Sequence, residues 1–165
     1  MKTDLIRLRD CFDIVYGINL ELVNLVQCKS SDIGAIPFVS RTENNNGVSA
    51  FVLTEIDITP NPAHTLSVAG GGSVLATFYQ PLPYYSGRDL YILIPKNDMS
   101  VIEMLFYAEC IKVNRYKYNY GRQANKTLRD ILIPSQIPEG LSERLKSKQM
   151  LILKDFQQYI DSLSV

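Results

Sequence analysis

Lys112 to Pro134 runs KVNRYKYNYGRQANKTLRDILIP. From Lys112 to Arg129 it holds six cations (Lys112, Arg115, Lys117, Arg122, Lys126 and Arg129) and no Asp or Glu. The whole chain balances 17 Lys and Arg against 17 Asp and Glu, so the case for a polyanionic partner rests on where charge is placed, not on its total. Tyr116, Tyr118 and Tyr120 alternate with the cations, and Asn114, Asn119, Gln123 and Asn125 lie between them. Cationic groups suit phosphates, amides suit base edges, and rings stack or wedge. A solvated basic loop with an edge strand accounts for the same composition.

Working outward, Ser100 to Val113 is the clearest helix: Ser100 caps it, Glu103 stands three residues on, and Val101, Leu105 and Ala108 belong to a broad apolar stripe. Leu128 to Ile133 is expected as a strand, so the basic segment is anchored at both ends. Leu90 to Pro95 (LYILIP) is a continuous apolar run of strand length, consistent with burial on both faces. Thr65 to Ala69 and Val74 to Gln80 flank Gly70-Gly71-Gly72-Ser73 and predict a hairpin.

Closer to the start, Leu5 to Val15 suggests a short strand and then a turn or two of helix stopping near Gly17, while Ile18 to Val26 stays open between strand and helix. Ile36 to Ser40 reads as a short strand. Thr42 to Gly47 (TENNNG) is a tight turn, and with Arg41 its Asn44, Asn45 and Asn46 also offer base-reading groups at a loop tip. Ser73 offers a hydroxyl to a closely approaching phosphate. In Pro81 to Arg88 (PLPYYSGR), one of the paired tyrosines is expected in the core and the other, taken as Tyr85, faces a groove together with Arg88.

The motifs of several chemistries are incomplete. Asn61 to His64 (NPAH) lacks the second proline and the aromatic of a methyltransferase tetrapeptide, and no Gly-Lys-Ser/Thr follows the glycines. Glu55 and Asp57 have no lysine placed for a metal-dependent nuclease, and His64, the single histidine, has no serine elbow. Cys11, Cys28 and Cys110 form no CxxC and read as reduced thiols, placing the chain in a reducing cytoplasm. No signal peptide or membrane span is evident. The length suits one domain.

From Gly140 the pattern changes. Leu141, Leu145, Ile152, Phe156, Ile160 and Leu163 recur at three- and four-residue steps interrupted by Gln149, and Met150, Leu151 and Leu153 widen the face, predicting a helix of about 33 Å. It packs on its own domain or pairs antiparallel with a second copy or a fused neighbour, through Leu145, Ile152, Phe156 and Leu163.

The run YGRQANKTLRDILIPSQIP resembles the end of a target recognition domain in specificity subunits of type I restriction-modification systems and in related single-chain restriction-methylation enzymes. In these a Tyr/Ser-Gly segment leads into an "xLxxIxIPxP" strand and then a long helix. Asp10 to Gly17 (DCFDIVYG), Gly34 to Arg41 (GAIPFVSR), Asn46 to Val48, Ala69 to Gln80 (AGGGSVLATFYQ) and Asp89 to Pro95 (DLYILIP) follow in the same order. The resemblance implies a mixed α/β (α+β) recognition domain of short strands and helices over residues 1–138, and a C-terminal linker or dimerisation helix over 139–165.

By the same resemblance the chain is a non-catalytic, sequence-specific module for double-stranded DNA. It positions a DNA adenine methyltransferase subunit, with or without a restriction nuclease, and S-adenosylmethionine belongs to that partner alone. Lys112, Arg115, Lys117, Lys126 and Arg129 would neutralise phosphates; Arg41, Asn44, Asn45, Asn46, Asn119, Arg122 and Gln123 would read base edges, with Ser73, Tyr85, Arg88, Tyr118 and Tyr120 beside them. Specificity subunits ordinarily hold two recognition domains, and one is present here. The chain is then a half-subunit that pairs with itself or a piece of a longer enzyme. The alternative class is a protein-binding accessory or inhibitor of a restriction system that does not touch DNA.

Overall fold

The computed structural model describes residues 4–118, 124, 126–141, 143, 144 and 147. The chain opens with β1 (Leu5–Arg7), a single helical turn α1 (Leu8–Cys11) and β2 (Phe12–Tyr16). The expected helix is thus one turn long, and its second half is strand. Phe12 and Ile14 alternate into the core at period two, which a helix would not permit. The open stretch from Ile18 resolves into a 3-10 turn at Leu22–Asn24 and the short β3 (Gln27–Cys28).

The expected strand after Gly34 is β4 (Ala35–Val39), antiparallel to β5 (Val48–Leu53). Pro37 lies within β4 rather than at its start. It is tolerated there because the other neighbour, β8 (Tyr85–Ser86), begins opposite Phe38 and needs no donor from residue 37. The predicted hairpin forms from β6 (Thr65–Ala69) and β7 (Thr77–Gln80), with residues 74 to 76 belonging to the turn. The apolar run becomes β9 (Leu90–Pro95), central in its sheet.

Helix α2 (Val101–Lys112) starts where expected, with Ser100 Oγ accepting from Glu103 N and the Glu103 carboxylate accepting from Ser100 N. Leu128 to Ile133 departs from the expectation of a strand. Leu128–Asp130 is a 3-10 turn that buries Leu128, and strand resumes only in β10 (Leu132–Pro134), which pairs β1. That pairing brings residues 5–7 and 132–134 together and closes the body.

Two four-stranded sheets result, ordered β2-β9-β6-β7 and β3-β5-β4-β8. One face of the first sheet presents Phe12, Ile14, Leu66, Val68 and Leu93 to Met104, Tyr107, Ala108 and Ile111 of α2. Its other face sets Ala69, Leu90 and Ile92 against Val39 and Val48 of the second sheet. The outer face of the second sheet, with Ile36, Phe38, Val52 and Tyr85, is covered by Ile18, Leu20, Leu22 and Leu25. The layers are therefore helix, sheet, sheet and extended segment. Each buried Leu or Ile contributes about 1.5–3 kcal/mol by leaving water.

The expected mixed α/β body is what forms. Helical residues recur at 141, 143, 144 and 147, and Arg144 N donates to Gly140 O. The rest of the predicted C-terminal helix, including Leu145, Ile152, Phe156 and Leu163, lies outside the described residues. Among the described residues no helix is long and apolar enough to cross a membrane.

Candidate nucleic-acid interface

Loops from three parts of the chain meet at one end of the sheets. The first is the turn before β5, where Asn45 (φ 49°), Asn46 (φ 56°) and Gly47 (φ 79°) take the left-handed backbone for which Asn and Gly are suited. A Cβ on Gly47 would come within 3.1 Å of the Phe78 ring and 3.2 Å of Val39, so glycine also allows this turn to lie flat on β7. The Asn46 side-chain amide donates to Tyr79 O, and Gln80 Nε2 donates back to Asn46 O. Asn46 is therefore a structural tie, whereas Asn44 and Asn45 keep exposed side-chain amides.

The glycine hairpin is the second loop. Gly70 N donates to Asp89 O, and Gly72 (φ 65°) lies against the Arg41 side chain, where a Cβ would stand 3.4 Å from that of Arg41. Arg41 Nη1 donates to Asp89 Oδ2 at 2.7 Å, half-buried. Ser73 is half-buried and its hydroxyl makes no hydrogen bond among the described residues.

The basic segment is the third. Past α2 the chain tightens into a 3-10 turn, Val113–Lys117, which turns Arg115 onto the hairpin. Arg115 Nε donates to Val74 O, and its Nη2 pairs with Glu43. Lys112 Nζ binds Glu109 at 2.7 Å and sits 4.9 Å above the Phe78 ring. Ala124 N donates to Gly70 O, and the Tyr118 and Thr127 hydroxyls meet at 2.8 Å. The two stems of the segment are thus fastened to each other and to the hairpin. Lys117 Nζ donates to Asn114 Oδ1, with the Tyr116 ring 5.6 Å away. Lys126 is exposed and has no hydrogen-bond or ion-pair partner among the described residues.

The structure accordingly gathers Arg41, Asn44, Asn45, Asn46, Ser73, Lys112 and Arg115, and beside them Lys117, Tyr118 and Lys126. It separates others. Arg88 turns to Glu21 at 3.8 Å, and Arg129 lies along the edge strand β2, donating to Ile14 O. Tyr85 requires a correction: it is fully buried, its hydroxyl accepts from Glu55 N and donates to Ile58 O, and no face of the ring is open to a groove. Tyr84 is fully buried too, because the strand they lead into is covered on both sides. Asn119, Tyr120, Arg122 and Gln123 lie outside the described residues.

Sequence reasoning missed Glu43, Asp89 and Glu109, the acids that pair with Arg115, Arg41 and Lys112. Glu109 was legible as an i,i+3 partner of Lys112 on the helix; Glu43 and Asp89 lie 72 and 48 residues from their partners. Elsewhere, His64 is held between Tyr79 Oη and Met99 O. Desolvation raises the Cys11, Cys28 and Cys110 thiols, disfavouring thiolate. Among the described residues no group of three His, Cys, Asp or Glu could hold a metal.

No protein-family model matches the chain. It is 27% identical over 122 residues to the type II restriction enzyme specificity subunit S.BcgI of Heyndrickxia coagulans, covering 73% of this chain and 33% of that protein. Among solved structures it is similar to the S subunit of a type I restriction-modification system from M. genitalium, with TM-score 0.62 and 19% identity over 98% of this chain and 42% of that one. The HsdS subunit of Thermoanaerobacter tengcongensis gives TM-score 0.59 and 15% identity over 97% and 38%. The body therefore has the fold found in specificity subunits, and the chain spans a third to two-fifths of their length.

Proposed function

We propose that this chain is a non-catalytic recognition module for double-stranded DNA in a restriction-modification system, reading one half-site and positioning a DNA adenine methyltransferase. The observation that carries this reading is the fastening of the basic segment to the glycine hairpin beside the Asn44–Asn45 turn, on a fold shared with specificity subunits. Lys117 and Lys126 neutralise phosphates; Asn44, Asn45, Asn119, Arg122 and Gln123 read base edges. Methyl transfer, with its S-adenosylmethionine, resides in a companion subunit, as does any strand cleavage. A half-subunit pairing with itself through Leu145, Ile152, Phe156 and Leu163 would read an interrupted palindrome.

A second reading, a protein-binding accessory module, is favoured by the ion pairs that neutralise Arg41, Lys112 and Arg115. Duplex binding as a function of salt separates the two. The recognition module loses affinity steeply as salt rises, Lys117→Ala weakens all sequences alike, and Arg122→Ala relaxes sequence preference. A chain with no salt-dependent affinity for duplex is the accessory module instead.

A further inference from the structure

The turn that carries the exposed Asn44 and Asn45 is tied down on both sides. Before it, Arg41 reaches Asp89, whose carboxylate also accepts from the Tyr16 hydroxyl. After it, Ser40 N donates to Gly47 O, Asn46 Nδ2 to Tyr79 O, and Gln80 Nε2 to Asn46 O. Within it, Asn44 N donates to Thr42 Oγ1 and Gly47 N to Asn44 O. One further tie, on the Glu43 carboxylate, comes from the basic segment: Arg115 Nη2.

Arg115 stands on the 3-10 turn that continues α2. There the buried Asn114 donates back to Cys110 O, and Tyr118 N donates to Arg115 O, so the guanidinium leaves from a fixed backbone. Its Nε donates to Val74 O of the glycine hairpin while Nη2 holds Glu43, partners 41 and 72 residues away in the chain. A planar guanidinium that donates to two elements at once fixes one against the other. A phosphate ligand is better served by free donors, as at Lys126, which has no partner among the described residues. A phosphate at Arg115 would also stand beside the Glu43 carboxylate, and like charges so placed repel.

We propose that Arg115 is a positioning residue for base readout: it clasps the Asn44–Asn45 turn to the glycine hairpin through Glu43 and Val74 and does not neutralise a DNA phosphate. This rests on the reading of the chain as a DNA-recognition module, and it takes Arg115 out of the phosphate-binding set in which its place in the basic run puts it. Amides held in place before DNA arrives need less ordering on binding, so the clasp acts on discrimination between sequences.

The test measures the affinity of the full chain, across a salt series, for its preferred duplex, selected from a random-sequence pool, and for a scrambled duplex. Arg115→Lys keeps the charge but offers one nitrogen in place of the fork, Arg115→Gln removes the charge, and Glu43→Gln removes the carboxylate. Both side chains are partly exposed, so the variants should fold with nearly the wild-type thermal midpoint. Arg115→Lys and Glu43→Gln should each lower the ratio of preferred to scrambled affinity about threefold or more, and their combination should lower it no further. Arg115→Gln should leave the salt slope unchanged. Kept discrimination in Arg115→Lys, or a slope reduced by about one in Arg115→Gln, makes Arg115 a phosphate ligand and overturns the clasp. Kept discrimination in Glu43→Gln, or additive losses in the combined variant, overturns the pairing. A wild type that binds no duplex, or all duplexes alike, removes the base-reading role instead. Hydrogen exchange at the amides of residues 42–47 then decides the clasp: faster exchange in Arg115→Lys and Glu43→Gln keeps it, and unchanged exchange overturns it.

Discussion

At the scale of single residues, Tyr84 and Tyr85 show how neighbours in a strand can both be core. Successive side chains point to opposite faces, and the strand entered here is covered on both: Tyr84 packs between the sheets, Tyr85 under the outer segment. The sequence PLPYYSGR suggests a loop because its prolines and glycine dominate the local signal; the two covering layers come from residues far away in the chain. Tyr85→Phe keeps the ring but leaves Glu55 N–H without its hydroxyl acceptor and Ile58 O without its hydroxyl donor. The expected cost is about 1–3 kcal/mol in denaturant unfolding, with duplex binding unchanged. A weakened duplex affinity at full stability would return Tyr85 to the interface.

Among the elements, α2 was the most legible because its start depends on four consecutive residues. Ser100 and Glu103 satisfy each other's backbone N–H groups, an arrangement visible in the sequence as S-x-x-E. Ser100→Ala should cost about 1 kcal/mol, measured as a lower thermal midpoint with the helix otherwise intact. The hairpin was legible for a similar reason, its glycines lying between two apolar runs. Phe12 to Tyr16 and Leu128 to Asp130 were not. Pairing with β9 draws the first into a sheet, and burial of Leu128 in the core beside α1 tightens the second into a turn. Both outcomes were settled by distant partners overriding local preference.

Across the whole molecule, charge placement is the deciding quantity, and it is only partly a property of the chain order. Arg88 and Arg129, which belong with the other cations by sequence, point to Glu21 and to the edge of β2. Arg88→Ala and Arg129→Ala should therefore leave the salt dependence of duplex binding unchanged. Lys117→Ala and Lys126→Ala should each reduce its slope by about one. Equal slopes in all four variants would mean that the cations act as one diffuse field. Read as a chain of residues, this protein already declared its mixed α/β class, its best helix and hairpin, the left-handed Asn-Gly turn and the acid-free basic run, because each depends on neighbours within a few positions. Which cations are neutralised, that Tyr85 is interior, and that the Asn-rich turn, the glycine hairpin and the basic segment meet at one end of the sheets were set by packing. Hydrogen bonds and ion pairs there join residues some 30 to 115 positions apart, and no local pattern encodes them.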